Sequence, residues 1–319
     1  MKAIVVTSHG GPEVLEYKDA EPPQPSEGQL LVDVTYAGIN YIDTYYRSGT
    51  YPSNPPYIPG TEGCGRVVED PKGEIAPGTL VAWHAAPGSY AEQVAVDRNR
   101  LVAVPEGVDP AVAASMLLQG MTSHYLLHGV RETKPGDTMV VTAGAGGVGL
   151  ILTQMAAAEE ATVYSVVSSD EKEKLAYEAG ATKVFRYGED LAEQIKAENG
   201  GGGVDVVYDG VGQDTFEMCL NVTRPRGLVC SFGSASGDVE PFKIQELNAH
   251  GALFLTRPSL KHYVATDDEF LMRAQAVARA VEEGTVKIRI HPPYELKNAR
   301  QAHEDLQARN TTGSVVLKV

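Results

Sequence analysis

The stretch from residue 138 to residue 256 alternates between short apolar runs and helical segments. The pattern predicts strands at residues 138–142, 162–167, 183–187, 204–208, 227–231 and 253–256, with helices at 147–158, 170–179, 191–198 and 214–220. Strands that alternate with helices form right-handed β-α-β units, which place the strands side by side in a parallel sheet. The alternation therefore predicts an α/β domain with a doubly wound parallel sheet.

A glycine-rich turn joins the first of these strands to the first helix. Its sequence, GAGGVG at residues 144–149, matches the pattern G-x-G-x-x-G. In such a turn the first glycine allows the tight bend, the second lets the backbone approach a pyrophosphate, and the third lets helix and strand pack closely. The helix N-terminus adds free N–H groups and partial positive charge. The predicted dinucleotide-binding residues here are Gly144, Gly146, Gly147, Val148 and Gly149.

The end of the second strand bears on the choice between NADH and NADPH. An NAD-binding chain usually carries an acid there, which bonds the ribose hydroxyls. Here Ser168 and Ser169 follow the strand and Lys172 comes four residues after Ser168, so two hydroxyls and an ammonium are available for a 2′-phosphate. Asp170 and Glu171 carry the opposite charge, although acids are also favoured in the first turn of a helix. The pattern favours NADPH and leaves NADH open.

The two ends of the chain differ from this central stretch. Strand-like runs at residues 2–6, 29–36, 65–68 and 80–84, separated by proline-rich turns, predict a barrel-like, mostly antiparallel β domain without long helices. Helices are predicted at 110–118 and 121–128. A capping box from Thr266 to Glu269 predicts a helix that ends at Gly284, followed by a helix at 298–309 and a strand at 314–319. This tail cannot form its own core and is predicted to pack on the first domain.

Composition narrows the possible partners and the compartment. The 319 residues carry a formal net charge of -15, which repels nucleic-acid backbones and anionic lipids. Three cysteines, Cys64, Cys219 and Cys230, are too few and too scattered for a disulfide framework. The apolar run after Met1 is too short for a signal peptide or a membrane helix. We therefore expect a cytoplasmic protein with no nucleic-acid or membrane partner.

The order of a β domain, a nucleotide domain and a returning tail resembles that of the medium-chain dehydrogenases/reductases. The chain is most similar to the zinc-free, NADPH-dependent quinone oxidoreductase branch, which includes zeta-crystallin, and the similarity covers essentially the full length. It rests on GGPEVL at 10–15, GINYIDTY at 38–45, RSGTY at 47–51, AGGVG at 145–149, YDGVG at 208–212, SFG at 231–233 and TRPS at 256–259. The resemblance implies a GroES-like catalytic domain at residues 1–120 and 258–319, and a Rossmann NADPH-binding domain at 121–257.

Two positions distinguish the chain from zinc-dependent members of that superfamily. Those members hold a catalytic zinc with a Cys in G-x-C-x-x-D and a His in G-H-E, where this chain has Asn40 and Thr61. Amide and hydroxyl groups are poor zinc ligands. His124 and His128 have helical i, i+4 spacing but no acidic or thiol neighbour in the sequence, so we expect them to pack against other residues. No metal is predicted.

The resemblance also implies a role for each matching residue. Asn40, Tyr45 and Tyr51 would line the nicotinamide and acceptor pocket, above a floor formed by Tyr41, Ile42 and Asp43. The remaining cofactor contacts would come from Thr122, Tyr125, the glycine turn with Gly147 and Val148 at the pyrophosphate, Ser168, Ser169, Lys172, Tyr187, Val211, Phe232, Gly233, Arg257 and Pro258. Tyr45 and Tyr51 could instead only cover the core, Asn40 could satisfy backbone groups in a turn, and Arg257 could form a salt bridge.

Three functions remain open from the sequence. Without a metal to polarise an alcohol or ketone, hydride transfer from NADPH to an electron-poor quinone is favoured, because the enzyme then supplies mainly proximity and orientation. The same cofactor geometry suits reduction of the activated double bond of an enal or enone. A non-catalytic NADPH-binding protein is the third possibility. The strand at 253–256 is predicted at a sheet edge, where pairing with its twofold mate would give a homodimer.

Overall fold

The computed structural model of the chain describes residues 1–319. Its strands are β1 Lys2–Val6, β2 Leu15–Asp19, β3 Gln29–Ile39, β4 Glu62–Glu69, β5 Leu80–His84, β6 Gln93–Asp97, β7 Leu101–Ala103, β8 Thr138–Val141, β9 Thr162–Val167, β10 Lys183–Arg186, β11 Val204–Asp209, β12 Thr223–Ser231, β13 Phe254–Thr256, β14 Tyr294–Glu295 and β15 Val315–Lys318. Its helices are α1 Tyr41–Ser48, α2 Pro110–Tyr125, α3 Gly147–Ala158, α4 Asp170–Glu178, α5 Leu191–Glu198, α6 Phe216–Val222, α7 Gln245–Ala249, α8 Leu260–Tyr263, α9 Asp267–Glu282 and α10 Ala299–Gln307.

The chain divides into two compact units. Unit 1 comprises Met1–Met121, Val264–Gly284 and Ile288–Val319, and unit 2 comprises Thr122–Tyr263 and Thr285–Lys287. No helix combines the length and the apolar composition that crossing a bilayer requires.

Unit 2 contains a six-stranded parallel sheet in the order β10-β9-β8-β11-β12-β13. Numbered within the sheet, this is the 3-2-1-4-5-6 order of a Rossmann fold, so the predicted doubly wound parallel sheet is confirmed. Val140, Val166 and Val207 on its central strands are fully buried, as strands with helices on both faces require. The short strand β13 lies at one edge, with Phe254 64% exposed.

Unit 1 contains a seven-stranded sheet that is antiparallel except between β14 and β15. The strand order is β14-β15-β3-β4-β5-β7, and β6 also pairs with β3. Alternate residues of β3, including Leu30 and Val32, enter a core that also holds Trp83 and Tyr90. The tail strand β15 pairs antiparallel with β3, and Val315 lies opposite Ile39. The predicted antiparallel β architecture is confirmed, and the tail completes its sheet.

The structure corrects several predicted elements. The helices predicted at 110–118 and 121–128 are one continuous helix, α2, followed by a π-helical turn at Leu126–Val130. Gly120 does not end the helix; it makes room for Val277, whose Cγ1 would lie 2.5 Å from a Cβ at that position. The short helix α1 was not predicted at all, nor were β2, β6 and β7. The capping box at Thr266 is confirmed, because its hydroxyl accepts the N–H of Glu269 at 3.2 Å.

A buried row of polar side chains joins α10 to α1 within unit 1. Arg47 Nη1 donates to Nδ1 of His303 at 3.0 Å, and since a guanidinium can only donate, the His303 ring carries its proton on Nε2. That N–H lies 3.2 Å from the Tyr90 hydroxyl, which donates in turn to Oδ2 of Asp43 at 2.8 Å. Burial and the Arg47 charge lower the pKa of His303 to about 3, so the ring stays neutral. The row therefore runs from the Arg47 guanidinium to the Asp43 carboxyl, and each hydrogen bond along it has one possible donor.

We predict that His303 makes unit 1 sensitive to acid. Below the ordinary histidine pKa of 6.5, His303 binds a proton in the unfolded chain but not in the folded protein. The contribution of His303 to the free energy of unfolding therefore falls as the pH drops toward about 3. His303→Gln keeps an acceptor and a donor but cannot titrate. Urea unfolding at a series of pH values should show wild type losing up to about 1.4 kcal/mol per pH unit relative to this variant. Exposed His262→Gln is the control, and equal slopes for wild type and His303→Gln would contradict the account.

Candidate functional site

The predicted pocket and floor residues lie on helix α1, at its N-cap and in the turn that follows it. The helix begins where β3 ends, and its N-terminus is fixed because the N–H of Asn40 donates to Oδ2 of Asp43 at 2.9 Å. Asp43 is 2% exposed and its pKa is raised to about 6 by burial. The predicted floor residue Asp43 thus holds the helix start in place.

The tyrosines of α1 and the following turn form an aromatic cluster. The rings of Tyr41 and Tyr45 are 5.5 Å apart, those of Tyr45 and Tyr51 are 5.2 Å apart, and Tyr46 contacts Tyr51 at 5.7 Å. All four side chains are half-buried. Such offset and edge-on pairs give a rigid aromatic surface. The structure therefore brings the predicted residues Tyr41, Tyr45 and Tyr51 together, with Ile42 on the same helix.

The side-chain amide of Asn40 is fixed by partners on both sides. Its Nδ2 donates to Oε2 of Glu62 at 2.7 Å, and its Oδ1 accepts from Nε2 of Gln119 at 3.2 Å. Oε1 of Gln119 accepts in turn from the Ser314 hydroxyl at 2.6 Å. The alternative role of Asn40, satisfaction of backbone groups in a turn, also applies, because its side chain has a capping-box arrangement with the backbone N–H of Asp43. Its amide belongs to a buried side-chain network.

The glycine turn of unit 2 is shaped by contacts that a methyl group would break. A Cβ on Gly149 would lie 2.5 Å from the carbonyl oxygen of Ala143, and one on Gly144 would lie 2.7 Å from Oγ of Ser165. A Cβ on Gly146 meets only the Ala143 oxygen, at 3.2 Å. Gly144 and Gly149 are therefore required by the turn itself. Gly146 borders space that a pyrophosphate can approach.

The N-terminus of α3 has the features of an anion site. Gly146 precedes the helix and no side chain caps it. The first N–H groups of an uncapped helix, here those of Gly147, Val148 and their neighbours, are available to phosphate oxygens. The Tyr187 hydroxyl accepts the N–H of Ala143 at 2.8 Å, so the ring lies beside the turn. These residues fit a dinucleotide.

The hydroxyls and the ammonium predicted for a 2′-phosphate are adjacent. Nζ of Lys172 lies 3.4 Å from Oγ of Ser168, while Oγ of Ser169 caps α4 by accepting the N–H of Lys172. The competing acid Asp170 is held by Arg186, whose Nη2 donates to its Oδ1 at 2.7 Å and also to Glu173. Arg186, which the sequence did not single out, thus offsets the negative charge beside this cluster.

The other predicted cofactor residues of unit 2 occupy three places. Val211, Phe232 and Gly233 follow β11 and β12, where a Cβ on Gly233 would lie 2.6 Å from the Gly210 oxygen. Arg257 donates to the carbonyl oxygens of Phe232 at 2.7 Å and of Pro258 at 3.2 Å, so it anchors this loop. Thr122 and Tyr125 lie at the end of α2, where Tyr125 stacks on Tyr263 at 4.4 Å. Gly233 and Arg257 also line a cavity of ≈ 250 Å³.

The structure adds a partner to the histidine pair. The rings of His124 and His128 do contact each other, with centroids 4.5 Å apart. However, an acidic neighbour is present, because Nε2 of His128 lies 3.1 Å from Oε1 of Glu159. Glu159 follows α3 and is distant in sequence, so the local pattern could not show it. No group of three or more His, Cys, Asp or Glu side chains has an arrangement that could hold a metal ion.

Comparison with known proteins agrees with this architecture. Residues 26–106 match the model of the alcohol dehydrogenase GroES-like domain, and residues 147–271 match that of the zinc-binding dehydrogenase. A quinone oxidoreductase of Pseudomonas aeruginosa is 40% identical, with 99% of each chain covered. A 2-haloacrylate reductase of a Burkholderia species is 34% identical, over 99% of this chain and 98% of the relative. The crystal structure of Escherichia coli quinone oxidoreductase complexed with NADPH superposes with a TM-score of 0.96, at 37% identity and complete coverage of both chains.

The chain belongs to the quinone oxidoreductase family of medium-chain dehydrogenases/reductases.

This family member contains site residues that sequence reasoning missed. Glu62 directly follows Thr61, yet its contact with Asn40 joins residues far apart in the sequence. Gln119 lies on α2 and Ser314 just before β15, and neither follows a recognisable motif. Arg186 ends β10 and reaches Asp170 only because β10 pairs with β9. Tyr46 alone had a local signal, since it continues the tyrosine-rich sequence of α1.

We predict that Gly146 and Gly149 of the glycine turn before α3 respond differently to substitution by alanine. Gly149→Ala forces a methyl group against the backbone at Ala143 and Gly144, so it should destabilise the protein by about 1–3 kcal/mol. Gly146→Ala adds a methyl group where φ is -78°, and its stability should stay within about 1 kcal/mol of wild type. Urea unfolding monitored by circular dichroism measures both. Equal losses in the two variants would contradict the described turn.

Proposed function

We propose that the protein is an NADPH-dependent quinone oxidoreductase that uses no metal in catalysis. The observation that carries the proposal is the uncapped glycine turn of unit 2 together with the cluster of Ser168, Ser169 and Lys172. Relatives at about 40% identity that are named quinone oxidoreductase support it, as does the NADPH complex of the Escherichia coli protein.

The residues of unit 2 would bind the two ends of NADPH differently. N–H groups at the start of α3, including those of Gly147 and Val148, would donate to the pyrophosphate. Lys172 with the two serines would bind the 2′-phosphate, because charge-assisted hydrogen bonds to phosphate are strong. Arg186 would support this by holding Asp170. The nicotinamide half would be bordered by Val211, Phe232 and Gly233.

The residues of unit 1 would bind and orient the acceptor. Tyr45 and Tyr51 offer aromatic surface to a flat, electron-poor ring, and Asn40 offers a fixed amide for hydrogen bonding to a carbonyl oxygen. When bound, NADPH supplies the hydride. The reduced acceptor also takes up one proton, from solvent or from a tyrosine hydroxyl such as that of Tyr51, which gives hydroquinone and NADP⁺.

Reduction of an activated carbon–carbon double bond is the second candidate. The Burkholderia relative named 2-haloacrylate reductase favours it, because it covers the full chain at 34% identity. The site would need no different residues, since an enal or enone also accepts hydride and then a proton. Acceptor preference separates the two activities.

We further propose that the protein works in the cytoplasm as a homodimer, without nucleic-acid or membrane partners. The net charge of -15 disfavours polyanionic partners. Strand β13 has one unpaired edge with Phe254 exposed, and pairing with the same strand of a second copy would remove that edge.

Steady-state assays test the proposed reaction. NADPH absorbance should fall when 1,4-benzoquinone or 9,10-phenanthrenequinone is added to the purified protein, with kcat/KM above that for small enones. An enone preferred by orders of magnitude would establish the double-bond activity instead. Tight NADPH binding without oxidation by any acceptor would indicate a non-catalytic binding protein.

Coenzyme preference provides a separate prediction. Lys172→Gln removes the ammonium that would meet the 2′-phosphate, so the Kd for NADPH should rise by about tenfold while that for NADH stays unchanged. Lys174→Gln is a matched control, because Lys174 lies on the same helix, is 77% exposed and pairs with Glu178. Isothermal titration calorimetry measures these values. If the Lys172→Gln protein binds NADPH as tightly as wild type does, Lys172 does not bind the 2′-phosphate.

A further inference from the structure

Glu62 is a buried carboxyl in contact with Asn40, a predicted pocket residue, and the proposed reaction does not use it. It is 0% exposed and accepts two short hydrogen bonds, from the Leu118 N–H at 2.7 Å and from Nδ2 of Asn40 at 2.7 Å. The space for it is built into β3, since a Cβ on Gly38 would lie 2.9 Å from its Oε2. Both partners donate, so the arrangement corresponds to an ionised carboxylate.

A protonated Glu62 needs a hydrogen-bond acceptor that neither of these two contacts provides. A neutral carboxylic acid carries one O–H, which needs an acceptor. The backbone N–H of Leu118 cannot become one, whereas the Asn40 amide can turn and present Oδ1. Asn40 would then direct Nδ2 toward Gln119, which must turn to accept, and Gln119 would donate to Ser314. The reversed amide would also give up its capping-box arrangement with the Asp43 N–H. The Ser314 hydroxyl completes the change, because a hydroxyl can donate or accept.

We propose that Glu62 is a positioning residue whose protonation state sets the orientation of the Asn40 amide, through the row Glu62–Asn40–Gln119–Ser314. The inference rests on the proposed function only in assigning Asn40 to the acceptor pocket. Ionised Glu62 holds the orientation seen here, and protonated Glu62 holds the reversed one. The acceptor oxygen therefore meets a different hydrogen-bonding pattern in the two states.

The surroundings of Glu62 place this change in an accessible pH range. Burial raises the pKa of Glu62 to about 8, and the nearby Asp43 carboxyl on α1 acts in the same direction. Tyr90, from the loop after β5, also interacts with Glu62, and its hydroxyl stays protonated because burial raises its pKa. On β5 the opposite residue is His84, whose pKa is lowered to about 4 and whose ring is therefore neutral. These neighbours keep their states while Glu62 titrates.

NMR of the intact protein tests the inference without any enzyme assay. With glutamate labelled at the carboxyl carbon and asparagine labelled at the side-chain nitrogen, signals lost in Glu62→Gln and Asn40→Asp are assigned to these two residues. Both signals should shift together with a midpoint near 8. A Glu62 carboxyl that titrates near the ordinary value of 4.5, or an Asn40 amide that does not move with it, would overturn the proposal.

Enzyme kinetics test the consequence for the acceptor. Glu62→Gln presents one acceptor oxygen and one donor group, as the protonated acid does, so it should match the acid-side KM of wild type for the quinone at every pH. Wild type should change that KM by about threefold to tenfold across the titration, the value of one hydrogen bond. The Kd for NADPH should stay constant in both. Glu69→Gln, exposed on the same strand, should keep the wild-type profile.

The outcomes of the two experiments are distinguishable. A Glu62→Gln protein that retains the wild-type pH transition in KM would contradict the role of Glu62, even if the quinone activity is real. If no acceptor is reduced at all, the proposed function fails, while the NMR titration of wild type still decides the Glu62–Asn40 coupling.

Discussion

The close approach of backbone atoms in the glycine turn after β8 is the constraint on which the nucleotide half of the molecule depends. Gly149 lies so near the Ala143 carbonyl that a side chain cannot fit, and Gly144 is held equally close to Ser165 on β9. These contacts bring the start of α3 against the ends of two parallel strands. The uncapped helix end, the Tyr187 hydroxyl and the serines after β9 then lie at one edge of the sheet, as the Rossmann order requires.

The structure of unit 1 depends on buried polar side chains, whereas the turn of unit 2 depends on glycines, which have no side chain. One row leads from Arg47 through His303 and Tyr90 to Asp43, and a second leads from Ser314 through Gln119 and Asn40 to Glu62. Buried polar groups of this kind must all be satisfied, and a satisfied network fixes one arrangement. Asn40 joins the two rows, because its backbone N–H donates to Asp43 and its side chain donates to Glu62. The start of α1, where the aromatic cluster begins, is therefore fixed.

Much of this could be predicted from the sequence because the signals are local. The alternation after residue 138 gave the parallel sheet, and the bounds of β9, α3 and α5 agree with those predicted. The spacing of Ser168, Ser169 and Lys172 predicted three polar side chains at the end of β9, and the structure has them together at the start of α4. The resemblance supplied the tyrosines of α1, although the helix itself was missed because the prolines around it suggested only turns.

The residues that could not be predicted act across long sequence separations. Glu62 begins β4 whereas Asn40 lies between β3 and α1, and Ser314 meets Gln119 from the other end of the chain. Arg186 on β10 reaches Asp170, which follows the neighbouring strand β9. Such contacts are set by sheet register, which no short segment encodes. The break predicted between residues 118 and 121 shows the opposite error, since the helix is continuous there and Gly120 packs against Val277.

A crystal structure of the protein soaked with NADPH tests the central claim most directly. The account predicts the pyrophosphate against the N–H groups of Gly147 and Val148, and the 2′-phosphate within hydrogen-bonding distance of Ser168, Ser169 and Lys172. A nucleotide bound elsewhere on the protein, or one whose 2′-phosphate makes no contact with these three side chains, would contradict it.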